Sequence, residues 1–147
     1  MILKLTMTTP SDVEIIKIRE DGAYSDQNEK SFIASLLNAP KTYCYTISDT
    51  YGPIAIMMGL TVKTGVIEIC GLVAEDVKKY PREFIRICRN LIRVATDVLR
   101  IHRIQCTCRS DFPVAAKFIE FFGFEREGVL RKACADKKDL FIYGRCP

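Results

Sequence analysis

The sequence is poor in the residues that build metal and redox centres. It has one histidine, His102, and no Cys-x-x-Cys among its seven cysteines at 44, 70, 88, 106, 108, 134 and 146. The lone histidine and the spacing argue against a zinc site, and the odd count argues against a disulfide framework. Reduced thiols packed as small hydrophobes in a reducing, cytoplasmic setting are expected instead. The longest uncharged stretch, Thr50 to Val62, contains Gly52, Pro53 and Gly59 and is too short to cross a bilayer. The start, Met1 to Thr6, lacks an apolar segment of signal-peptide length, and no Ser/Gly/Pro-rich tract suggests disorder. Ser-His-Asp order, Gly-x-Ser-x-Gly and a Walker-type phosphate loop are all absent, which excludes the commonest hydrolase and nucleotide-binding signatures.

What remains is 147 residues at 48 % hydrophobic content, enough for a single domain over 1–147 with a substantial core. The net charge of +4 is unevenly placed: residues 1–73 carry −2 and residues 74–147 carry +6. An anionic ligand therefore belongs to the second half.

Periodicity predicts the elements. A first strand over Ile2 to Thr6 leads to a cap at Thr9-Pro10-Ser11-Asp12 and a short helix through Val13, Ile15, Ile16 and Ile18. A polar stretch, Asp21 to Lys30, precedes a second helix through Phe32, Ile33, Leu36 and Leu37. Three strands follow as a meander, over Thr42 to Ser48, Ile54 to Val62 and Val66 to Val73, with a tight turn at Lys63-Thr64-Gly65. A long helix over Pro81 to Arg100 starts with proline where its missing amide costs nothing. Its expected buried arc is Ile85, Cys88, Leu91, Ile92, Ala95, Val98 and Leu99, opposite a stripe of Arg82, Arg86, Arg89, Arg93 and Arg100. A strand at Arg103 to Cys108, a helix at Pro113 to Phe122 and a closing antiparallel pair, Phe124 to Arg131 with Asp139 to Arg145, complete the chain. One strand-helix-strand crossover makes the sheet mixed.

This element order is similar to the GNAT superfamily of acetyl-coenzyme-A-dependent N-acyltransferases. The local match is clearest in Ala115-Ala116-Lys117-Phe118-Ile119-Glu120-Phe121-Phe122-Gly123-Phe124-Glu125-Arg126-Glu127-Gly128 and in the ending Asp139-Leu140-Phe141-Ile142-Tyr143-Gly144-Arg145. The helix start Tyr80-Pro81-Arg82-Glu83-Phe84-Ile85-Arg86 further resembles phage-encoded GNAT-like proteins of the internal virion protein A type. The resemblance implies an α/β fold with a mixed six- to seven-stranded sheet and about four helices. It also implies acetyl-CoA as co-substrate and a small-molecule or protein primary amine as acceptor, with a homodimer compatible with the group.

Carried onto these residues, the resemblance makes Glu68 the general base. Leu72 and Val73 become backbone partners of the pantetheine arm. The segment Glu75-Asp76-Val77-Lys78-Lys79-Tyr80-Pro81-Arg82-Glu83 falls where GNAT enzymes have a glycine-rich pyrophosphate loop. It contains no glycine, Pro81 removes one amide, and Glu75 with Asp76 oppose phosphate. Lys78, Lys79, Arg82 and the helix start at Glu83 are left as the cofactor-binding positions. The family's thiolate-protonating tyrosine falls on Ile119, beside Phe118, and neither donates a proton. Asp21, Asp26 and Glu29 hint at a cationic acceptor. The arginine stripe suits a solvated surface or an acidic protein partner, while the lack of interleaved aromatics disfavours nucleic acid. A non-catalytic GNAT-fold protein binding a host or virion partner through that face is the alternative.

Overall fold

The computed structural model describes residues 2–19 and 27–147, with side chains of the second helix from residue 30 onward. In chain order the elements are β1 (Lys4–Met7), α1 (Pro10–Ile15), α2 (Gln27–Leu36), β2 (Thr42–Asp49), β3 (Gly52–Lys63) and β4 (Val66–Val73). A 3₁₀ turn (Glu75–Lys79) leads into α3 (Pro81–Arg93), which widens into a π-turn (Val94–Val98). Then come β5 (Arg103–Arg109), α4 (Pro113–Phe121), β6 (Glu125–Leu130) and β7 (Leu140–Arg145). The sheet order is β1-β2-β3-β4-β5-β7-β6. Every pairing is antiparallel except β4 with β5, the one crossover the sequence demands. Among the described residues this makes a seven-stranded mixed sheet with four α-helices, as expected.

Strand alternation sorts the core onto two faces. Val13, Ile16 and Ile33 of the α1–α2 layer pack on Ile56, Met58 and Leu72. On the other face Phe84, Cys88 and Val77 pack on Ile54 and Ala55, while Ala95, Ile101 and Phe124 pack on Ile67, Ile104, Cys106, Cys108 and Tyr143. All seven cysteines are free thiols, and burial pushes the Cys88 and Cys106 thiols up to about 12. Among the described residues no helix is long and apolar enough to cross a membrane.

α1 begins where the sequence places it, in a capping box in which the Thr9 hydroxyl accepts from the Asp12 N–H and the Asp12 carboxylate accepts from the Thr9 N–H. Gly65 turns the β3–β4 hairpin at φ 77°, and a Cβ there would run into the His102 imidazole, so only glycine fits.

Three expectations need correcting. Ile18 does not continue α1 but forms an extended bridge with Ala74. α2 ends at Leu36 and so stops short of Leu37, and within it Ile33 packs on the sheet while Phe32 is 52 % exposed. The long helix is not one regular helix to Arg100. The Thr96 hydroxyl donates to the Ile92 and Arg93 carbonyls, both at 3.1 Å, and the next amides reach further back than an α-helix allows: Leu99 to Val94 and Ile101 to Ala95. The wider turn rotates the later residues out of the apolar arc. Val98 is 68 % exposed, and Arg100 reverses the chain at φ 57°.

Candidate active site

The parallel pairing of β4 and β5 is short. It joins Val66 to Arg103, Ile67 to Ile104 and Glu68 to Gln105, and stops. β4 nevertheless stays paired with β3 as far as Val73, and β5 stays paired with β7 as far as Arg109. The two strands therefore splay apart in the middle of the sheet, leaving one edge of β4 without a strand neighbour from Ile69 onward. A sheet interior that stops pairing leaves backbone donors and acceptors open to a ligand.

Backbone direction alternates along a strand. The Ala74 N–H donates to the Ile54 carbonyl at 2.8 Å, toward β3, while the Val73 carbonyl accepts from the Arg19 N–H at 3.2 Å on the opposite side. By that alternation Gly71 and Val73 present their backbone groups to the gap. Leu72, fully buried under the α1–α2 layer, presents its own to β3. Of the two β4 positions expected to meet the pantetheine arm, Val73 thus faces the gap and Leu72 does not. Gly71 takes its place.

Glu68 is the last β4 residue paired with β5, so it stands where the splay opens. Its side chain is half-buried on the same strand face as Cys70 and Leu72. It lies three residues before Gly71, about 10 Å along the strand.

The outer end of the gap is strapped. From its backbone bond to Val73, Arg19 sends its guanidinium to Glu75, with Nε 3.1 Å from Oε2, and over the Phe112 ring, 5.7 Å from the centroid. Phe112 lies in the loop after β5, so a single side chain reaches across the mouth of the splay. Sequence reading missed this residue, because Ile18 just before it read as part of a helix.

Beyond β4, the segment replacing a glycine loop folds on itself. Lys78 pairs with Glu75, and Lys79 pairs with Asp76 at 3.1 Å, a contact that raises the Lys79 pKa. Glu83 accepts from the Leu3 N–H at 2.8 Å and lies 3.6 Å from Arg86, so its carboxylate ties β1 to the first turn of α3. Arg82 is exposed and, with Ile2, Glu83 and Arg86, lines an open pocket of about 380 Å³ at the start of α3. The splay therefore fits a pantetheine arm. Both lysines already neutralise acids and Arg86 lies against Glu83, which leaves Arg82 as the cation of this segment without an ion pair among the described residues.

Ile119 is packed against the β5 core, and Phe118 stacks with Phe84 at 5.8 Å and edge-on with Phe122 at 5.0 Å. Neither supplies a proton. The nearby Tyr143 hydroxyl donates to Glu120 at 3.2 Å, and burial foremost holds its pKa above the usual phenol value. Asp21 and Asp26 lie outside the described residues, as does the side chain of Glu29.

No protein-family model matches the sequence, and no curated protein matches it. Solved structures do match. A spermidine N-acetyltransferase SpeG chimera from Vibrio cholerae and hSSAT aligns with a TM-score of 0.77 at 14 % identity, covering 98 % of this chain and 95 % of that one. The spermidine/spermine N-acetyltransferase SpeG from Vibrio cholerae, crystallised with manganese ions, aligns with a TM-score of 0.70 at 13 % identity over 98 % and 92 %. Strand order, the central splay and these alignments agree: the protein has the GNAT acyltransferase fold.

Proposed function

We propose that the protein is an acetyl-CoA-dependent N-acetyltransferase acting on a primary amine. The observation that carries this reading is the splay between β4 and β5, which opens the Gly71 backbone and the Val73 N–H beside a half-buried carboxylate, the Val73 carbonyl being taken by the Arg19 N–H. In this reading the thioester arm lies along the free edge of β4. A β4 amide polarises the thioester carbonyl as the amine attacks it, and Glu68 takes the ammonium proton through water. The departing thiolate takes its proton from solvent, because Ile119 and Phe118 have none to give. Most of the rate enhancement then comes from positioning and carbonyl polarisation. With exposed arginines replacing a glycine loop, binding is weak and salt-sensitive.

The self-paired lysines and the Arg19 strap favour a second reading, a non-catalytic protein of this fold, as in the phage-type resemblance. Thiol release from acetyl-CoA, measured with spermidine, an aminoglycoside and a lysine peptide as acceptors, separates the two. Amine-dependent release supports the transferase. Acetyl-CoA binding without release from any acceptor supports the second reading.

A further inference from the structure

The carboxylate at the opening of the splay shares its sheet face with a row of side chains from β5. Ile104, Cys106 and Cys108 turn into the core on the α3–α4 side, so Arg103, Gln105 and Thr107 alternate onto the opposite face, where Glu68, Cys70 and Leu72 also stand. Gln105 is the register partner of Glu68 in the parallel pair, on a strand about 4.8 Å away. Both side chains are half-buried.

The chemistry of Arg103 fixes which way the Gln105 carboxamide points. Arg103 Nε donates to Gln105 Oε1 at 3.0 Å. A guanidinium has only donors to offer, so the carbonyl of Gln105 must face it, and the NH2 group is left free. Arg103 is itself held, its Nη1 donating to Glu127 Oε1 at 2.7 Å and Oε2 at 3.0 Å, an ion pair from β5 to β6 that passes over β7. It crosses at Gly144, where a Cβ would run into both side chains. Among the described residues neither Gln105 Nε2 nor the Glu68 carboxylate has a hydrogen-bond partner, and the two do not bond each other. A half-buried donor and a half-buried acceptor on neighbouring strands, both unmet, are satisfied together by one water that accepts from the amide and donates to the carboxylate.

We propose that Gln105 is a positioning residue whose NH2 group holds the water that carries the acceptor's proton to Glu68, a role that rests on the transferase reading. With one lone pair taken by Gln105 and one hydrogen directed at Glu68, the water keeps a lone pair for the ammonium. The ammonium N–H proton passes to the water oxygen as the water's own proton passes to a Glu68 oxygen. A neutral amine, an intact water and a protonated carboxyl result.

Steady-state thiol release from acetyl-CoA, with spermidine, an aminoglycoside and a lysine peptide as acceptors, tests this in two variants whose folding is checked by melting curves. Gln105→Leu removes the donor and should lower kcat about tenfold with the KM for acetyl-CoA unchanged, the effect of losing one hydrogen bond to a reacting group. Gln105→Glu separates positioning from support of the sheet. It keeps the side-chain length and strengthens the bond to Arg103 by charge, but presents an acceptor where the water needs a donor. A supporting role predicts the wild-type rate for this variant, whereas the positioning role predicts a loss of kcat similar to that of Gln105→Leu at a pH where glutamate is ionised. An unchanged kcat in Gln105→Leu, or a wild-type rate in Gln105→Glu, overturns the role of Gln105 and leaves the transferase reading standing. No amine-dependent release by the wild type overturns both.

Discussion

Replacing Arg19 by alanine removes the side chain that spans the mouth of the splay while keeping its backbone bond to Val73. Two contacts with described residues are lost. The pair with Glu75 has one partner 12 % and the other 58 % exposed, so solvent screening limits it to under about 1 kcal/mol. The guanidinium over Phe112 at 5.7 Å contributes about 0.5–1 kcal/mol. Together they hold the strap with roughly 1–2 kcal/mol, which a ligand entering past it must overcome. Arg19→Ala should therefore bind acetyl-CoA about 5- to 30-fold more tightly by isothermal titration. The same loss should lower the melting temperature by only a few degrees in a domain of this size. Unchanged or weakened affinity at that modest cost in stability would refute the reasoning: Arg19 would then either contact the ligand or stand clear of its path.

Glu68→Gln keeps the side-chain volume and should lower kcat/KM for the amine about 10²- to 10⁴-fold with little change in melting temperature; a rate within twofold of wild type removes Glu68 as base. The Cys88 and Cys106 thiols, raised to about 12 by burial, stay protonated in the fold at pH values where the unfolded chain ionises. The native state then holds more protons, so stability should fall as pH rises from the ordinary thiol range through about 12, and a thiol reagent at pH 8 should miss both until the chain unfolds. Ile104→Ala, at a residue 1 % exposed where β5 meets β4, should cost about 2–5 kcal/mol in a denaturant titration.

Much of the fold was legible because its signals are local. The meander shows in the strand alternation around Tyr43 to Val73, the start of α3 in Pro81, and the parallel β4–β5 pair in the single crossover between them. The features that escaped depend on contacts between distant residues or on backbone hydrogen-bond shifts. The π-turn arises from one hydroxyl, that of Thr96, donating to two carbonyls behind it. Ile18 leaves its helix because Ala74, 56 residues further on, offers a bridge. Gly71 and Leu72 exchange roles because backbone direction follows ladder parity, which residue type does not reveal. One signal was readable: Glu75 with Lys78 and Asp76 with Lys79 have the i, i+3 spacing at which opposite charges on a helical turn meet. The direction of the Gln105 carboxamide appears only once Arg103 and Glu127 meet across β7.

The central claim is that acetyl-CoA lies between β4 and β5, and backbone amide chemical-shift mapping tests it most directly. Titrating the labelled protein with acetyl-CoA should shift the amides of Ile69, Gly71 and Val73 on β4 and those of Cys106 to Arg109 on β5, with Arg82 and Arg86 moving at the phosphate end. Shifts that leave β4 untouched and cluster elsewhere would contradict the account.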